Sequence, residues 1–304
     1  MKPAFRAGAV HVRVPATSAN LGPGFDALGL ALALHDDVVG RVGEDGLVID
    51  IAGEGADLPR DETHLVVRAM RTVFDRLGGQ PRGIELSCAN RIPHSRGLGS
   101  SGAAIVAGAV LARALVLGAE RELPDDELLG IASKLEGHPD NVAACLLGGL
   151  SIAWTDDAAT RAIGLECDPT IQPVALVPPF TASTELGRGL LPATVPHGDA
   201  AFVAGRAALL VAALTGSPAA LMAATEDRLH QPYRQPAMPQ SAKLMATLRA
   251  AGLAAVISGA GPTVLVLART DDEVARAASY APPEWACLSL GVDTAGAHLV
   301  APAR

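Results

Sequence analysis

Apolar positions along this chain change period repeatedly, and each change predicts an element. Residues 11–15, "HVRVP", alternate and predict a strand that the proline ends. The polar, glycine-rich loop "ATSANLGPGFDALG" follows, then the apolar "LALAL". Strands are predicted again at Asp37–Val42, Leu47–Ile51 and Gly83–Ala89. Between them Leu65, Met70, Val73, Phe74 and Leu77 fall at helical spacing, so His64–Leu77 reads as a helix stopped by Gly78-Gly79. Ser100 or Ser101 is expected to cap a helix running to Leu117, with Gly118 at its end. "PDDELLGIASKLE" opens with Pro and acids, a helix start, and "HPDNVAACLLGG" predicts a short helix leading into the strand "LSIAW".

The second half begins after the turn-rich patch Thr155–Thr170. A strand is expected at "PVALVPP", then helical "STELGRGLL", an alanine-rich helix at Asp199–Leu214, and helices at Ala219–Arg228 and Ser241–Ala251. "LAAVISGAGPTVLVLA", helical "DDEVARAAS" and strands near Ala286–Leu290 and Ala297–Val300 complete the chain. Strands cluster in both halves with helices between them, which predicts two α+β domains, residues 1–160 and 161–304.

Composition supports a large buried core: 49% of the 304 residues are hydrophobic and 18% charged. Aromatics reach only 3%, so Ala, Val, Leu and Ile must build it. The net charge of −8 argues against nucleic-acid binding but not against an anionic small ligand, for which one cluster of donors suffices. Four scattered cysteines without a C-x-x-C predict buried thiols in a reducing, cytoplasmic setting. The N-terminus lacks a long apolar core of the signal-peptide kind. Ala103–Ala119, interrupted by Arg113, reads as a core helix rather than a membrane span.

Candidate chemistry concentrates in "RIPHSRGLGSSGAA", residues 91–104. Its Gly97, Gly99 and Gly102 match the G-x-G-x-x-G of dinucleotide-binding turns, with Glu120 and Glu122 at about the right distance. The match fails in context. Asn90–Arg96 separates the predicted strand from Gly97, Pro93 cannot donate to a ladder, and the two acids fall in a helix-to-helix connection. A G-x-x-x-x-G-K-[ST] loop is also absent. A more general device survives: a glycine-rich turn leading into a helix N-terminus, whose unpaired N–H groups and dipole favour phosphate.

Read with two other stretches, this loop resembles the second motif of the GHMP small-molecule kinases. "VPATSANLGPGFDALGLAL" (14–32) is similar to their N-terminal motif and "ISGAGPTVLVL" (257–267) to their C-terminal glycine loop. The first motif, "EGHPDNVAACLLGG" (136–149), "STELGRGLLP" (183–192) and "HQPYRQPAMP" (230–239) resemble the branch that phosphorylates L-homoserine. The resemblance implies a ribosomal-S5-domain-2-like N-terminal domain, a ferredoxin-like C-terminal domain, a homodimer, and ATP and Mg²⁺ as cosubstrate and cofactor. It places Pro93, Arg96, Gly97, Leu98, Gly99, Ser100 and Ser101 at ATP, and Ser101 with Glu136 at Mg²⁺. For the amino-acid substrate it implies Asp26 at the ammonium and Arg188 and Arg234 at the carboxylate, where arginine forks suit the geometry. Asn20, His138 and Thr184 orient that substrate, and Gly259 and Gly261 bring the C-terminal loop toward it. Asp140 stands at a candidate base position with Asn141 beside it; direct attack by the hydroxyl is the alternative. Three departures from the pattern stand out: Gly102 for an alanine, Thr63-His64 for an Asn-Leu pair, and His230-Gln231-Pro232 for an acidic version.

Overall fold

The computed structural model describes residues 3–156 and 159–301. In the first half the chain forms β1 (Val10–Ala19), β2 (Leu28–Gly43), β3 (Gly46–Gly53), α1 (Leu65–Arg76), β4 (Gly83–Asn90) and α2 (Ser100–Leu115). The helices α3 (Ala119–Glu122), α4 (Asp125–Glu136) and α5 (Asp140–Leu147) and the strands β5 (Leu150–Thr155) and β6 (Thr160–Leu165) follow. Strands β1, β2, β4 and β3 are neighbours in that order, with β5 on the start of β2 and β6 on β5. Among the described strands only β3 and β4 pair in parallel. Helix α2 packs against α1, α4, α5 and β1, which explains why its apolar positions show so little one-sidedness: it is buried all round.

Pro15 does not end the first strand. Ladder register shifts between Pro15 and Ala16, so the proline sits at a bulge and β1 continues through Ala19. That extension carries Thr17 and Ser18 into the middle of the molecule, where both are fully buried. The apolar "LALAL" and the strand expected at Asp37–Val42 form one long β2.

The second half contains β7 (Gln172–Val177), α6 (Thr184–Gly189), α7 (His197–Thr215), α8 (Leu221–Ala224), α9 (Gln231–Arg234), α10 (Pro239–Ala250), β8 (Ala255–Ile257), β9 (Val264–Ala268), α11 (Asp271–Ser279) and β10 (Ala286–Ser289). Its antiparallel sheet has the order β10-β7-β9-β8, the arrangement of a split β-α-β unit with helices at each crossover. The near-continuous apolar run at 253–268 reflects burial on both faces. Val256, Leu265 and Leu267 join the core shared with the first half, while Ala255, Ile257, Val264 and Val266 face a second core with Met238, Leu248 and Trp285. The helix expected at Ala219–Arg228 is reduced to α8, because Asp227 folds back to accept N–H bonds from Leu229, His230 and Gln231. Helix α7 alone among the described helices is long and apolar enough to cross a membrane; its Leu210, Ala213 and Leu214 are buried in the shared core.

Within the turn-rich patch Thr155–Thr170, Thr160–Leu165 pairs with β5 in the first sheet, and the next strand begins at Gln172. The chain also returns: β11 (His298–Leu299) pairs with β1 and covers its outer edge. Asp293 anchors this return. Its Oδ2 lies 2.7 Å from His35 Nε2, and its Oδ1 accepts the Ala295 and Gly296 N–H groups at 3.0 and 2.7 Å. Replacing Asp293 with Ala is expected to lower the unfolding free energy by about 1–3 kcal/mol, seen as a lower urea midpoint with an unchanged slope.

Candidate active site

The three motif stretches meet where the two halves touch. Gly97, in the turn before α2, has φ 77°, and a Cβ there would fall within 3.0 Å of the Ser258 and Gly261 carbonyl oxygens. Ser258 Oγ donates to the Gly97 carbonyl at 2.6 Å, and its oxygen lies 2.8 Å from the Ser18 hydroxyl at the end of β1. Thr263 N–H donates to the Arg96 carbonyl, and Gly259 N–H to the Ala19 carbonyl. Gly99 is the second position that tolerates only glycine. It has φ 70°, and a Cβ would collide with Thr17 Oγ1 and touch Asn141 Oδ1. Gly99, not Ser100 or Ser101, is the N-cap of α2, and no side chain caps the helix. The first-turn N–H groups, which have no partners inside a helix, are thereby kept for whatever enters the cleft.

That cleft measures about 460 Å³. Gly97, Gly99, Ser100 and Ser101 form one wall, Glu136, His138, Asp140 and Asn141 the next. Asn20, Asp26, Arg188, Arg234, Gly259 and Gly261 close it from the loop after β1 and from the second half. Pro93, Arg96 and Leu98 do not reach its wall. Leu98 is fully buried in the core, and Pro93 ends the chain's run out of β4. The Arg96 guanidinium is directed away, donating to the carbonyls of His94, Pro178 and Pro179. Thr184 opens α6, and its side chain lies outside the described residues.

Charges in the cleft form two groups. Ser101 Oγ donates to Glu136 Oε1 at 2.6 Å. Burial pushes the Glu136 carboxyl above its ordinary range, partly offset by the Ser101 hydrogen bond. His138 Nδ1 lies 3.0 Å from Asp140 Oδ1, which also accepts the Asn141 N–H at 2.7 Å. The bond to Asp140 raises the His138 pKa against the opposing effect of burial. Asn141 Oδ1 accepts the Thr17 hydroxyl, tying α5 to β1. Among the described residues no group of three or more His, Cys, Asp or Glu is placed to hold a metal. Any ion at Ser101 and Glu136 must therefore take further oxygens from a ligand and water.

The second group is cationic. Arg188 grips Asp26 with two bonds of 3.0 and 2.7 Å. Asp26 itself stands at φ 55°, held by the Asn20 side chain, which accepts its N–H and donates to the Gly259 carbonyl. Arg234 is 2% exposed, its Nε has no partner among the described residues, and burial followed by repulsion from Arg188 lowers its pKa. A neutral partner supports it: His230, fully buried, donates from Nε2 to the Gly22 carbonyl at 2.7 Å, leaving Nδ1 as acceptor 3.4 Å from the guanidinium. The Phe25 ring stacks on His230 at 5.0 Å and lies 5.6 and 5.3 Å from the Arg188 and Arg234 guanidinium carbons.

Residues 64–149 match the GHMP kinases N terminal domain and residues 207–286 the GHMP kinases C terminal domain. A homoserine kinase of Streptomyces coelicolor is 62% identical over 299 residues, 98% of this chain and 96% of that protein. One from Streptomyces avermitilis is 62% identical over 301 residues, 98% of each. The chain belongs to the GHMP kinase family. A crystal structure of homoserine kinase from Cytophaga hutchinsonii superposes with a TM-score of 0.83 at 26% identity, covering 98% of both chains.

As a GHMP kinase the chain is expected to depend on side chains that sequence reading passed over. Phe25 and Ser258 lie inside quoted motifs, and the signal was their being the one aromatic and the one hydroxyl in "GPGFDALG" and "ISGAG". Ser258→Ala leaves the buried Gly97 carbonyl short of a donor. It is expected to cost about 1–3 kcal/mol in stability and to raise the KM for nucleotide more than that for the second substrate, read by denaturation and steady-state kinetics.

Proposed function

We propose that the protein transfers the γ-phosphoryl group of ATP to the hydroxyl of L-homoserine, giving O-phospho-L-homoserine for threonine synthesis. The observation that carries this reading is the charge pattern of the cleft: a carboxylate paired with one arginine, beside a second, buried arginine whose Nε has no hydrogen-bond partner among the described residues, opposite an uncapped helix N-terminus. A zwitterionic amino acid fits this pattern. Its ammonium takes one oxygen of Asp26, and its carboxylate takes Arg234 together with the Arg188 fork that Asp26 then shares. The helix N-terminus and the Gly97–Ser101 turn hold the phosphates. The mainly apolar pocket of about 220 Å³ that shares Ser95, Ser100 and Ser101 with the cleft takes the adenine ring.

Ser101 and Glu136 fit a Mg²⁺ ion, since both are hard oxygen donors and such ions are usually held by few protein groups plus phosphates and water. When bound, the ion neutralises charge on the transferring phosphoryl group. In this reading Asp140, whose Oδ1 accepts the Asn141 N–H and lies 3.0 Å from His138 Nδ1, accepts the hydroxyl proton. The acidic chain with four free cysteines suits a cytoplasmic enzyme. A homodimer is supported by the exposed Trp154 and Ile163 on β5 and β6.

The test is ADP release with MgATP against homoserine, mevalonate, galactose and shikimate. Turnover is expected with homoserine, and none above background overturns the proposal. Arg234→Ala is expected to raise the homoserine KM by about 100-fold or more, as loss of a charge-assisted hydrogen bond implies, with the ATP KM little changed. Asp140→Asn is expected to lower kcat at least about 100-fold; a loss below tenfold favours direct attack by the hydroxyl.

A further inference from the structure

The apolar pocket beside the cleft contains one polar atom that its surroundings leave unsatisfied. Val38, Val66, Ala103 and Ala107 supply much of the wall. His64 lines it as well, is 7% exposed, and its Nδ1 is shielded and has no hydrogen-bond partner among the described residues. Two neighbouring polar groups bond away from it: Asp36 Oδ1 accepts the Arg91 and Ile92 N–H groups, and Asn90 Nδ2 donates to the Glu54 carbonyl. A buried nitrogen without a partner is costly, so one that lines a cavity marks where a ligand completes the bond.

Burial, with His94 and Arg60 adding to it, lowers the His64 pKa and keeps the ring neutral. A neutral imidazole has one donor and one acceptor nitrogen. His64 is the N-cap residue of α1, and no side chain caps that helix. Positive potential from the first-turn N–H groups favours a lone pair, rather than a proton, on the ring nitrogen nearest the backbone. Nδ1 is therefore the acceptor.

We infer that His64 accepts a hydrogen bond from the amino group of the adenine ring and selects ATP over 6-oxopurine nucleotides. This rests on the reading of the protein as an ATP-dependent kinase. A 6-oxo group would present a carbonyl oxygen to the Nδ1 lone pair, leaving two acceptors face to face in an apolar pocket.

The experiment compares kcat/KM for ATP and for inosine triphosphate, at saturating homoserine, in the parent, His64→Leu and His64→Asn enzymes. The parent is expected to favour ATP by about tenfold or more. His64→Leu should bring the ratio close to one, chiefly through a higher KM for ATP, with kcat and the homoserine KM retained. Asn carries its carbonyl oxygen where His carries Nδ1, so His64→Asn should recover part of the preference. Equal ratios in the parent and His64→Leu overturn the inference and leave the kinase reading standing. No turnover with either nucleotide overturns both.

Discussion

A single buried hydroxyl, that of Ser258, joins the parts on which the site depends. It donates to the carbonyl of Gly97 and meets the hydroxyl of Ser18, so the turn before α2, the end of β1 and the glycine loop of the second half share one contact. Backbone approaches this closely only where side chains are absent, which is why Gly97 faces the Ser258 and Gly261 carbonyls directly. Buried backbone groups need partners, and here each half supplies the other's. The cleft is thus a property of the joint between the halves, not of either alone.

The cleft's charges are arranged for a visitor. Arg188 is already neutralised by Asp26, whereas Arg234 is buried, without a partner for its Nε among the described residues, and 3.4 Å from the His230 imidazole. A histidine whose second nitrogen is spent on the Gly22 carbonyl orients the guanidinium without cancelling its charge. On the opposite wall, Gly99 as an uncapped N-cap keeps the α2 terminus free in the same way.

Long periodic segments were legible because burial is one-sided or complete along them: α1 and β7 appear close to where their patterns place them. Segments whose conformation is set elsewhere were not. β6 is largely exposed and has no alternation to announce it, so only its pairing with β5 makes it a strand. Pro15 hides the second half of β1 because a bulge cannot be seen without the partner strand. The motif residues that line the cleft could be named because their stretches resemble the GHMP kinase motifs; the glycine-rich turn by itself pointed only to a helix N-terminus that favours phosphate. Arg96 shows the limit. A cation in a phosphate loop suggests a phosphate, yet its guanidinium is held by three carbonyls, two of which only the folded second half brings near.

The returning strand β11 ties the order of synthesis to the order of assembly. Val300 N–H bonds the His11 carbonyl, so residues almost three hundred positions apart lie side by side. While the polypeptide emerges from the ribosome, the outer edge of β1 stays open until synthesis has passed His298 and Leu299. The first half therefore waits, with an unpaired edge, for a strand encoded beyond the whole of the second. Linking β11 directly to β1 and opening the chain at an exposed turn would remove that wait.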